Sequence, residues 1–117
     1  MSEIIRQDQQ IIEKFKDKLL KQAQNNIDKI LFFGSRARGL GRPDSDYDVL
    51  LVVSQKKNEL IDAFYDVVTE FLQKYGVDIS LKIYTVNEYN KKIGLPMPFF
   101  INIKKYGVEI WNKAKQK

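Results

Sequence analysis

Apolar residues recur at helical spacing from about Ile4 to Gln24, with Ile5, Ile12, Phe15, Leu19 and Leu20 set among charged positions. That pattern predicts an amphipathic helix that stops at Asn25-Asn26. Asp28 to Phe33 reads as a strand that feeds a Gly-Ser turn, and Ser35 is placed to cap a short helix reaching Arg38. Gly39, Gly41, Pro43 and Asp44 break that helix into a loop. A second strand runs from about Tyr47 to Val53, continuously apolar after Asp48, as expected of an interior strand.

The clearest helix spans Asn58 to Tyr75, where Leu60, Phe64, Val67 and Phe71 share one face and Ile61, Val68 and Leu72 lie beside it. Gly76 stands where a C-cap glycine belongs. From Val77 to Tyr84 the chain alternates: Val77, Ile79, Leu81 and Ile83 face one way, and Asp78, Ser80, Lys82 and Tyr84 the other. This is the signature of a half-buried strand. A short helix over Val86 to Ile93, a break at Gly94-Leu-Pro-Met-Pro, a helix over Phe99 to Lys105 and a final strand over Val108 to Trp111 complete the chain. With no repeat and no linker, residues 1–117 are expected to form one domain. Its class is α/β (α+β): a small mixed β-sheet with helices packed on it.

Composition narrows the chemistry. The chain has no cysteine and no histidine. That excludes disulfides, thiolate nucleophiles, zinc clusters and the usual general base. Catalysis here must rest on carboxylates and a hard metal. No apolar run approaches the roughly 20 residues that span a bilayer, and the N-terminal residues lack a signal-peptide pattern, so a cytoplasmic protein is expected. The net charge of +5 comes mostly from lysines, with Lys104, Lys105, Lys113, Lys115 and Lys117 crowding the C-terminal end as a solvated tail. Direct nucleic-acid binding is not expected. Of four arginines, Arg36, Arg38 and Arg42 fall in one short loop. The guanidinium fork matches phosphate oxygens better than a lysine does, so a polyanionic ligand is expected there.

That loop separates the two most telling features. Gly34-Ser35 is followed, after ten residues, by Asp46-Tyr47-Asp48. Acids at i and i+2 at a strand start point to one side and suit Mg²⁺, which takes a few carboxylates, waters and substrate phosphates. The Gly-Ser turn offers N–H groups and a hydroxyl to an anion, and Ser45 is either a turn residue or a ligand contact. A third acid favours binding two metals, and Asp78 is the best candidate. If its strand neighbours that of Asp46 and Asp48, the three converge across about one strand spacing, ~5 Å. Glu59, Asp62, Asp66 and Glu70 lie on the polar face of a helix and are assigned to solvent.

Gly34-Ser-Arg-Ala-Arg-Gly39 with Ser45-Asp-Tyr-Asp48 resembles the signature of the minimal nucleotidyltransferases of the DNA polymerase β-like superfamily. The spacing resembles that of the MntA-like antitoxins paired with HEPN-domain toxins. The resemblance covers nearly the whole chain and implies a nucleotidyltransferase fold. It implies that Gly34 and Ser35 hold the β and γ phosphates of ATP, that Asp46 and Asp48 ligate two Mg²⁺ ions, and that Asp78 completes the site and helps deprotonate the acceptor. Arg36, Arg38 and Ser45 are carried as further nucleotide contacts. In the antitoxin branch AMP passes to a tyrosine hydroxyl of the HEPN toxin. Two other readings compete: an antitoxin that neutralises by binding alone, and a nucleotidyltransferase acting on a small molecule or RNA. A chain this short is expected to need a partner, and Gly94 to Phe100 is either an exposed apolar surface for one or a helix packing into the core.

Overall fold

The computed structural model describes residues 4–116, so Lys117 of the basic tail and the first three residues of the N-terminus lie outside it. Helix α1 (Arg6–Ala23) leads through a tight 3-10 turn at Gln24–Asn26 into strand β1 (Ile27–Phe33). Helix α2 (Gly34–Ala37) and the loop after it connect to β2 (Tyr47–Val53), then α3 (Asn58–Tyr75), β3 (Ile79–Thr85), α4 (Val86–Lys92), α5 (Pro98–Tyr106) and β4 (Val108–Asn112). The four strands form one mixed sheet in the order β3-β2-β1-β4. β1 pairs antiparallel with β2 and with β4, while β2 and β3 are parallel. β2, which reads as a continuously apolar run after Asp48, is a central strand, as is β1, each with a neighbour on both sides.

The long helices pack on one face. Ile12, Phe15 and Leu19 of α1 join Phe64, Val67 and Phe71 of α3 over the side chains of Ile30, Phe32, Val49 and Leu51. Phe15 and Phe71 meet edge to face at 5.3 Å, a pairing worth roughly 0.5–1.5 kcal/mol beyond area burial. The opposite face carries a smaller cluster of Leu31, Phe33, Leu50 and Ile103, with Tyr84, Tyr89 and Phe99 against it. Helices α4 and α5 provide this cover. A complete capping box starts α4, with Glu88 N–H on Thr85 Oγ1 and Thr85 N–H on the Glu88 carboxylate. Pro98 opens α5 at a position where its missing N–H costs nothing.

Two boundaries at the site differ from the sequence reading. The helix after β1 begins at Gly34 with Phe33 as its N-cap, so Ser35 lies inside it and caps nothing. β3 begins at Ile79, which leaves Asp78 one residue ahead of the ladder, its carbonyl accepting from Tyr47 N–H at 2.9 Å. The stretch from Gly94 to Phe100 does both things expected of it in alternative: Phe100 is buried, while Leu95 and Met97 stay exposed. Gly76 ends α3 in the left-handed conformation at φ +67°, as a C-cap glycine does. On the outer side of β3, Tyr65 of α3 donates its hydroxyl to the Leu81 carbonyl at 3.0 Å. Among the described residues no helix is long and apolar enough to cross a membrane.

The Phe15–Phe71 contact ties the two long helices together, so Phe15→Ala should cost about 3–5 kcal/mol in urea unfolding. Leu72→Ala, on a side chain half exposed to solvent, should cost under ~0.5 kcal/mol. Equal losses at the two positions would contradict this account of the core.

Candidate active site

The site is built where β1 runs into α2. Phe33, the last residue of β1, stands opposite Asp48 in the antiparallel ladder. The next residue, Gly34, turns the chain with φ at +83°, a region that costs other residues roughly 1–2 kcal/mol. It also has no room for a side chain, because an added Cβ would run into the Oδ2 of Asp48. Glycine is required here on both counts. The turn thereby lays its backbone against the Asp48 carboxylate. Ser35 follows, exposed, its hydroxyl without a hydrogen-bond partner among the described residues.

Asp48 shares the sheet face of Phe33 and Leu50, under the edge of the small cluster. Burial pushes its carboxyl above the ordinary 3.8, the Asp46 charge pushes it further, and Lys82 pulls it partly back. Asp46 is exposed at the end of the loop. Since Tyr47 pairs with Ile79, one step back along the parallel ladder sets the backbone of Asp46 beside that of Asp78. Asp78 is exposed, and it lines a cavity of about 100 Å³ together with Arg36, Ser45 and Tyr47. Among the described residues, no three His, Cys, Asp or Glu side chains stand close enough together to hold a metal ion. The donor chemistry nevertheless fits a hard divalent cation. Asp46 and Asp48 place two negative charges near each other, and Lys82 offsets part of that charge at Asp48. A cation held by two carboxylates can complete its shell from water and substrate phosphate, as Mg²⁺ commonly does.

The arginines divide. Arg36 is engaged by the protein itself: Nη1 donates to Asp8 Oδ1 at 2.8 Å, Nε to the Ser45 carbonyl at 2.8 Å, and Nη2 to the carbonyls of Arg42 and Pro43 at 3.0 and 3.1 Å. Its plane also lies over the Tyr47 ring, 4.4 Å from the centroid. Four of its five N–H donors are thus committed to the loop and to α1, which leaves little of the fork for a phosphate. Ser45 behaves as a turn residue, its Oγ accepting from Arg42 N–H at 2.9 Å. Arg38 lies over Tyr106 at 3.9 Å and makes no side-chain hydrogen bond among the described residues, so its donors are not committed to the loop as those of Arg36 are. Arg42 is exposed.

Two residues at the site escaped the sequence reading. Asp8 is a buried charged residue, 4% exposed, and its signal was its place in the apolar stripe of α1, in step with Ile5, Ile12, Phe15 and Leu19. Lys82 pairs in register with Leu50, two residues along β2 from Asp48, and lies 5.7 Å over the Phe99 ring. Strand alternation alone gives no more than its place on the polar side of β3.

Residues 10–108 match the family described as nucleotidyltransferase domain. The chain belongs to this family, and it is a nucleotidyltransferase. A candidate protein adenylyltransferase of Methanocaldococcus jannaschii is 35% identical over 86 residues, covering 74% of this chain and 82% of the relative. A second from the same organism is 29% identical over 106 residues, covering 86% of this chain and 96% of its own. Among solved structures, a candidate nucleotidyltransferase of Sulfolobus solfataricus superposes with a TM-score of 0.57 at 20% identity, over 91% of this chain and 81% of that one. A Shewanella oneidensis MNT antitoxin complex with a tri-AMPylated HEPN toxin gives 0.53 at 15% identity, over 91% and 74%. The fold expected from the nucleotidyltransferase resemblance is borne out.

Two outcomes follow for the turn and its acid. Gly34→Ala should lower stability by about 1–2 kcal/mol from the backbone alone, with a further loss from displacing Asp48, and should abolish nucleotide transfer. Gly76→Ala, where an added Cβ meets nothing, should show only the backbone cost, read by the same denaturation curves. For Asp48 the folded-state value lies above the unfolded one, so its contribution favours folding at acid pH and is lost as pH rises from about 3.8 through the raised value. Asp48→Asn should therefore melt higher than wild type at pH 7 in a chelator. That gap should close as the pH is brought down to 3.

Proposed function

We propose that this protein is a Mg²⁺-dependent adenylyltransferase that moves AMP from ATP to a hydroxyl on a protein partner, a tyrosine of a HEPN-domain toxin, and so acts as its antitoxin. The observation that carries the reading is the close approach of the Gly34 turn to the Asp48 carboxylate, which supports a phosphate cradle beside a metal-binding acid. The adenylyltransferase names of the M. jannaschii relatives support it. So does the likeness in fold to toxin–antitoxin structures, one of them described with AMP-PNP.

In this reading Gly34 and Ser35 hold the β and γ phosphates, with Arg38 as a further phosphate contact. Asp46 and Asp48 hold Mg²⁺, and a second ion would draw on Asp78. Bound Mg²⁺ supplies neutralisation of phosphate charge. Asp78 takes the proton of the acceptor hydroxyl. The oxygen so released bonds to the α-phosphorus, the bond from that phosphorus to the bridging oxygen of the β-phosphate breaks, and pyrophosphate leaves. Lys82, beside Asp48, balances charge at the same place. One domain over residues 1–117 carries the donor side, and the partner brings the acceptor.

Neutralisation by binding is the second reading. It is favoured by the exposed Leu95, Met97 and Ile101 beside a cavity of about 360 Å³ bordered by Lys104 and Lys105. Incubation with α-labelled ATP, Mg²⁺ and a cognate HEPN protein separates the two. Label should pass to the HEPN protein with wild type and fall by roughly 10²–10³ with Asp46→Asn/Asp48→Asn. Inhibition of the toxin by the double variant, equal to wild type and without label, would establish binding alone. Mg²⁺ without nucleotide should raise the melting temperature of wild type and leave that of the double variant unmoved.

A further inference from the structure

We propose that Asp8 is a positioning residue, which acts through Arg36 to set the loop that delivers Asp46 to the active site. This rests on the nucleotidyltransferase reading of that site. Asp8 sits in the first turn of α1, and its side chain is 5% exposed. Its Oδ1 accepts from two groups at once: Arg36 Nη1 at 2.8 Å and the Tyr47 hydroxyl at 2.8 Å. Arg36 comes from the helix that Gly34 opens, and Tyr47 is the residue between the two site aspartates. One carboxylate oxygen therefore joins the phosphate-side turn to the acidic strand, on the sheet face opposite Asp48.

The rest of the guanidinium gathers the loop. The carbonyls of Arg42, Pro43 and Ser45 all accept from Arg36, and Asp46 is the next residue. Gly41 allows the wrap, because a Cβ there would meet Arg36 Cγ. Tyr47 closes the assembly with its ring under the guanidinium. A buried ion pair of this kind is weak evidence for stability, since apolar residues of similar volume often serve better. Here the pair selects one loop arrangement. The other Asp8 oxygen, Oδ2, is buried and has no hydrogen-bond partner among the described residues, so the carboxylate carries a solvation cost.

Asp8→Asn, which keeps the shape and one acceptor but loses the charge, decides the question. Two readouts are needed: steady-state transfer from ATP well below the melting midpoint, and hydrogen exchange across residues 40–47. We expect kcat to fall on the order of 10–100-fold, the range for losing a group that orients a reacting one, with KM for ATP little changed and exchange faster in that segment alone. Arg36→Lys should match it, and the double variant should lose little more than either single one. Wild-type kcat, unchanged loop exchange, or additive losses would each overturn the proposal. If wild type itself transfers nothing, the functional reading fails, and the exchange comparison alone decides whether Asp8 holds the loop.

Discussion

Everything at the candidate site depends on one register: Phe33 of β1 opposite Asp48 of β2. A slip of one residue would turn Asp48 toward the face packed by α1 and α3 and send Tyr47 to the other side. It would also move the Gly34 turn off the carboxylate it now touches. The slip is opposed on both faces of the sheet. Phe32, Val49 and Leu51 are wholly buried on one face and Leu50 on the other, so no shift keeps both sets covered. Catalytic geometry is in this sense inherited from ordinary core packing.

Two kinds of acid lie within a short stretch of this fold, and they are treated oppositely. Asp8 shares one oxygen between a guanidinium and a phenol. Asp48 is partly buried beside another carboxylate, with one lysine as relief. The first is spent on shape. The second is left short of positive charge, which makes the place attractive to a cation. Tyr47, between Asp46 and Asp48, faces the other way: burial and the bond to Asp8 hold its hydroxyl at about 12, firmly a donor at any physiological pH.

Much of this was legible before any coordinates. The runs Tyr47–Val53 and Asn58–Tyr75 declare themselves through unbroken apolarity and a strong 3.6-residue period, and the structure reproduces those bounds. The turn chemistry of Gly76 was equally plain, because only a glycine accepts that φ at no cost. Pairing partners were less accessible, and with them the contrast among the arginines. Residue type marks Arg36 and Arg38 alike as phosphate ligands, yet Arg36 is engaged by Asp8 from 28 positions away. Asp8 itself hid inside a helical pattern that tolerates one polar residue in the stripe without any change of period. Asp78 shows the same limit: strand alternation gives its side, but the ladder starts one residue later.

The hydroxyl that Tyr65 places on the Leu81 carbonyl bears on the open rim of the sheet. β3 lies at the rim of the sheet, with β2 on one side only, and a bare rim is a template on which a stray strand can grow. A phenol on that carbonyl occupies an acceptor that an incoming backbone N–H would need. One backbone acceptor on the β3 rim is thereby satisfied within the fold.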